Sequence, residues 1–195
     1  MSQVFSHFLS LLRLTLSDAQ SGARAVLGGA LPAQAMWTLF LLVMALSGFL
    51  SQLTLLLVPF EGEEVLIPGS GFFLGFMVGG VILLMSVCIR WIGRAFDGTG
   101  TMRETILLII WLQYVMVAVQ VVQTALALIA PGLGVLVGWI GMGLMFWLLT
   151  NFIAVLHGFK SLGMVFFMIL ASAVGVAFGV SLLLAIVSIF IPLGV

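Results

Sequence analysis

Charge is scarce in this sequence. Six Lys/Arg and six Asp/Glu make up only 6% of its 195 residues, against about 25% in an average soluble domain. So few charges cannot keep a 20.9 kDa globule dispersed in water. With 64% apolar residues, the chain belongs in a bilayer. Acids and bases balance, so the basic excess that nucleic-acid binding needs is missing, and nucleic acid is excluded as a partner. One cysteine, Cys88, rules out an internal disulfide and a cysteine-rich metal site. The two histidines, His7 and His157, form no HExxH pattern, and neither has a second ligand near it in sequence. Glu63-Glu64 resembles the start of a diglutamate intramembrane protease motif, but the arginine and histidines needed on later helices are missing. No serine has a histidine deep in an apolar run to activate it. No acid or base lies near the middle of any such run, which argues against proton-coupled transport. The expectation is a protein that is not an enzyme, with no catalytic, cofactor-binding or metal-binding residue and no cofactor.

What the sequence has is long apolar runs. A crossing helix needs about 20 such residues, and five stretches qualify: 33–58, 71–92, 105–130, 133–156 and 162–192. Little more than Pro131-Gly132 separates the third from the fourth. The fifth exceeds one upright crossing, so it should tilt, kink or rest one end among the headgroups. The fold class is therefore an all-α polytopic membrane helix bundle with five transmembrane helices. With five spans, Arg13, Arg24, Arg90, Arg94, Arg103 and Lys160 fall on one side. The positive-inside rule then puts the N-terminus in the cytoplasm and the C-terminus outside, in the periplasm.

Two regions follow: a cytoplasmic N-terminal segment, 1–30, and the five-helix domain, 31–195. Residues 1–30 do not read as a cleavable signal peptide, because Arg13 interrupts the candidate apolar core. At 100° per residue, Val4, Phe5, Phe8, Leu9, Leu12 and Leu16 form one arc, with Ser6, Ser10, Arg13 and Ser17 opposite. This predicts a short amphipathic helix, either lying on the cytoplasmic leaflet as an interfacial element or packed against the bundle.

Lipid tails are as apolar as leucine, so helices in a membrane associate through small residues and hydrogen bonds. Gly71, Gly75 and Gly79 form a double GxxxG, Gly134 and Gly138 a second series, and Gly175 and Gly179 continue Ala171 in a third. Each series offers a smooth groove, either to another helix of the chain or to a partner. The third apolar run carries a polar stripe of Gln113, Gln120 and Thr124, with Gln123 on its edge. A glutamine in hydrocarbon needs a partner, so this face should point inward, as hydrogen-bonding glue or as the lining of a solute path. Thr150 and Asn151 are candidate partners.

Between the second and third runs lies Arg94-Ala95-Phe96-Asp97-Gly98-Thr99-Gly100-Thr101-Met102-Arg103-Glu104-Thr105. Thr101 and Glu104 have capping-box spacing. Gly98 and Gly100 allow the positive φ of a tight turn. The segment lacks the strand and lysine of a phosphate cradle. Five spans, an amphipathic N-terminus, the Gly98-x-Gly100-Thr101-x-x-Glu104-Thr105 loop and a His157-Gly158-Phe159 turn together resemble the bacterial branch of the Yip1 family, from about Leu16 to Ile191.

That resemblance implies a multi-pass protein of a bacterial cytoplasmic (inner) membrane. Its eukaryotic relatives are Golgi and endoplasmic-reticulum proteins that bind Rab GTPases and shape or traffic membranes. Their Tyr-Gly-Pro signature has no counterpart here, and that departure counts against a GTPase-binding role. The expected function is that of a scaffold, organiser or accessory subunit of a membrane assembly. Its expected partners are membrane lipids and other integral membrane proteins or further copies of itself. The alternatives are a channel or carrier for a small neutral solute, or a bilayer-shaping protein.

Overall fold

The computed structural model of the chain describes residues 2–29, 31–57 and 71–175, which are helical with no strand among them. Seven helices follow in order: α1 (Ser2–Ser17), α2 (Ala19–Gly28), α3 (Ala33–Leu57), α4 (Gly71–Ala95), α5 (Met102–Ile129), α6 (Pro131–His157) and α7 (Leu162–Gly175). Helices α3 to α6 run 25, 25, 28 and 27 residues. At 1.5 Å per residue they are about 37 to 42 Å long, enough to cross a hydrocarbon core of about 30 Å. These are four long apolar candidate spans, and the chain is a multi-pass membrane protein. The described part of α7 is apolar but shorter than a span. The remainder of the expected fifth span lies outside the described residues.

The helix limits differ from the apolar runs where local chemistry, not hydropathy, sets them. Helix α4 continues past residue 92 through Arg94 to Ala95, closing with a basic side chain in its last turn. Helix α5 starts at Met102, ahead of the apolar run, because the Thr101–Glu104 capping box forms there. Helix α6 starts at Pro131, whose missing N–H costs nothing at a first helical position. Pro131-Gly132 is thus the first turn of α6. Ala130 alone, extended at φ −152°, reverses the chain.

Helix α5 is the axis of the bundle and packs against α2, α3, α4 and α6. Half of its apolar stretch is buried, against 22% for each of α3, α4 and α6. Past its first three residues, the stretch from Thr105 to Leu112 is buried on every side. This explains a sequence that is hydrophobic all round and shows no single apolar face.

The N-terminal segment forms two helices where one was expected. Asp18 breaks the run: its carboxylate accepts the Ser21 N–H at 3.0 Å and the Ser21 hydroxyl at 2.6 Å, capping α2. Gly22 lets α2 fold back on α1, since a Cβ there would lie 2.7 Å from Thr15 Cα. Helix α1 packs on the bundle through Phe8, Leu11, Leu12 and Thr15. Phe8 meets Trp111 and Tyr114 edge-on at 5.6 and 6.3 Å. Buried Thr15 accepts the Trp111 indole N–H at 3.0 Å. Phe5, Leu9 and Leu16 of the expected apolar arc are exposed.

The Asp18 carboxyl is held below its ordinary value, chiefly by the Ser21 hydroxyl, then by the Ser21 N–H and, more weakly, by Arg24. A depressed carboxylate contributes stability above its unfolded pKa, about 3.9, and loses it as the pH falls through the folded value. Hydrogen exchange at the Ser21 amide should therefore accelerate below about pH 4 beyond the intrinsic exchange trend. In Asp18→Ala that amide should exchange fast at every pH, with no acid transition. An unchanged profile in the variant would show that the cap holds nothing.

Candidate functional site

The end of α4, the loop leading into α5 and the end of α6 meet around one side chain, His157. It is the last residue of α6 and only 3% exposed. The helix stops there because Gly158 takes φ 73°, a left-handed cap, and the Gly158 and Phe159 N–H groups both return to the Ala154 carbonyl. Phe159 then stacks on the imidazole at 5.5 Å.

Three glycines surround the ring. A Cβ at Gly93 would lie 2.2 Å from Nε2, one at Gly98 2.4 Å from Nδ1, and one at Gly100 3.0 Å from Cε1. The Gly100 N–H donates to Nδ1 at 3.3 Å, which puts the ring proton of the neutral imidazole on Nε2. Nε2 is buried beside the Ile89 backbone without completing a hydrogen bond. Positive φ in this loop falls at Asp97 (φ 60°), and neither Gly98 nor Gly100 adopts it. The expectation of a turn requirement at those two glycines is corrected: they are small so that His157 can fit. The GxGT stretch and the His-Gly-Phe turn are two halves of one joint. The signal for this contact in the sequence is the pairing of these two motifs.

The joint extends sideways. The Thr101 amide and hydroxyl both donate to the Glu104 carboxylate, at 2.8 and 2.6 Å, and the Glu104 N–H donates back to the Thr101 hydroxyl. The Arg103 guanidinium donates to the Leu31 carbonyl, fastening the connection before α3 to the start of α5. Asn151 of α6 accepts from the Gln20 amide of α2 at 3.2 Å and donates to the Trp147 carbonyl. Thr150 bonds back to Phe146 of its own helix. These two residues were expected to serve the glutamine stripe, and neither does. They lie at the joint's end of the bundle, where α2 docks.

The stripe finds its partners on α3. Gln113 donates to the Ser47 hydroxyl and Gln120 to the Ser51 hydroxyl, each at 3.3 Å, and the hydroxyls of Thr54 and Thr124 lie 2.7 Å apart. The positions rise together along both helices, so α3 and α5 run parallel and share a polar ladder. Gln123 lies off the ladder, with its amide packed over Gly138 of α6.

The glycine series divide in the same way. A Cβ at Gly75 would meet the Met44 carbonyl oxygen at 2.6 Å, and one at Gly79 would meet the Met44 side chain. Gly134 accommodates Ala127 across the α5–α6 turn. Gly175 has no described neighbour within 4 Å. Gly71 begins α4, its surroundings outside the described residues, as is all of Gly179.

Chemically, the joint can fix helix ends and exchange hydrogen bonds. No group of three His, Cys, Asp or Glu side chains able to hold a metal exists among the described residues. A family model, the Yip1 domain, matches residues 21–192. No curated protein and no solved structure matches the chain.

Proposed function

The chain belongs to the Yip1 family, and from that premise we propose a non-enzymatic, five-span protein of a bacterial cytoplasmic membrane that organises other integral membrane proteins by lateral helix contact. Its N-terminus is cytoplasmic and its C-terminus periplasmic, which gathers all six basic residues on the cytoplasmic face. The carrying observation is where the polar groups go. Gln113, Gln120 and Thr124 are taken up by Ser47, Ser51 and Thr54. Helices α4 and α6 meanwhile turn apolar side chains outward, Trp91, Val135, Trp139 and Ile140 among them. The outward surface is thus suited to lipid and to other helices, while the chain's hydrogen-bonding capacity holds its own bundle.

Purification in mild detergent should recover the protein with stoichiometric integral membrane partners. A lone monodisperse chain under several gentle conditions would count against the organiser role. One group favours a second reading: Gln52 Oε1 is buried on α3 without a partner, beside the ladder residue Ser51, an acceptor left for a small neutral solute once a path beside it opens. Cysteine placed at Gln52 or Gln120 and treated with a water-soluble thiol reagent decides between them. Labelling supports a path, and no labelling removes it.

A further inference from the structure

A cavity of about 800 Å³ separates helix α1 from the bundle, walled by α1, α2, α3 and α5. Its lining is apolar apart from His7 and Tyr114, and the Tyr114 hydroxyl is already spent on the Leu39 carbonyl at 3.0 Å. An apolar space of this size offers water almost no partners, so the surrounding hydrocarbon fills it more favourably. Two rim residues, Phe5 and Leu42, are 64% and 48% exposed, so the space opens sideways between α1 and α3 into the lipid.

Its other edge is cationic. Arg103 donates to the carbonyl of Leu31, a wall residue. Arg103 is exposed. The acid beside it, Glu104, is engaged in its capping box. An apolar slot that opens laterally and carries a cation at one edge matches one acyl chain joined to an anionic headgroup. We propose that this cavity is a binding site for a single anionic phospholipid, its chain under α1 and its phosphate at Arg103. The inference needs only that the chain sits in a bilayer; it holds or fails independently of the organiser role.

Trp111 lines the cavity and is itself 8% exposed, so it reports entry of a chain. The test is quenching of a Trp111-only protein (Trp37, Trp91, Trp139 and Trp147→Phe) in phosphatidylcholine–phosphatidylglycerol bilayers, with bromine on the chains of one lipid or the other. Brominated phosphatidylglycerol should quench Trp111 with about a fivefold preference over brominated phosphatidylcholine, the ratio one surface cation contributes. Arg103→Gln should bring the two lipids toward parity. Ala25→Phe, which narrows the slot, should weaken quenching by both. No quenching of Trp111 by either lipid would overturn the site. Equal quenching by both lipids, unchanged by the arginine variant, would overturn its headgroup selectivity. Quenching undiminished in Ala25→Phe would place the chain elsewhere.

Discussion

Gly93→Ala should lower the thermal stability of the detergent-solubilised protein by about 2 kcal/mol, a fall of roughly 4 to 8 °C in unfolding temperature. The direction is informative, because alanine ordinarily stabilises a helix interior over glycine by about 0.5 to 1 kcal/mol. Here the added methyl would enter the imidazole of His157, 2.2 Å from Nε2. The ring cannot retreat, since Phe159 stacks on it and the Gly98 and Gly100 backbones close the other sides. The decisive measurement is a double-mutant cycle. His157→Ala alone leaves the Gly100 N–H unpaired and opens a void, costing about 1 to 3 kcal/mol. With the ring gone, Gly93→Ala should cost nothing further and regain some helix propensity, giving a coupling of more than about 1 kcal/mol. Strict additivity would mean that the histidine and the glycine do not meet.

A larger loss is expected at Gly75. Its would-be Cβ lies 2.6 Å from the Met44 carbonyl oxygen and 3.6 Å from Gly48 Cα. Both obstacles are backbone, so no rotamer change relieves them and α3 and α4 must move apart. Gly75→Val should cost about 3 kcal/mol, the upper end of overpacking, and lower the unfolding temperature by roughly 6 to 12 °C. Gly80, five residues along the same helix, has nothing within 4 Å. Gly80→Val carries the same β-branched penalty without the collision, so it should leave the unfolding temperature nearly unchanged. Equal losses at the two positions would show that propensity, not the α3–α4 approach, sets the cost.

The sequence made the long helices legible because hydropathy is a local quantity. A run of 25 apolar residues is helical wherever it lies in a membrane, since every backbone group must be satisfied within the segment. The Thr101–Glu104 cap was legible for the same reason: its partners are three residues apart. Pairings between distant segments were not. That Gln113 and Gln120 needed partners followed from their chemistry, but Ser47 and Ser51 could not be selected over Thr150 and Asn151 without knowing which helices are neighbours. Gly98 and Gly100 looked like turn residues because glycine serves both turns and close contacts, and only the position of His157 distinguishes the two. Asp18 was visible as a charge in an apolar segment, yet its role in dividing that segment into two helices depends on where α2 docks.

One extended residue, Ala130, joins the two most intimately packed helices. A connection that short leaves nothing hydrophilic to be carried through the bilayer when α5 and α6 are integrated. The pair can partition from the translocation machinery as a preassembled hairpin, with the desolvation of a single peptide link at its tip.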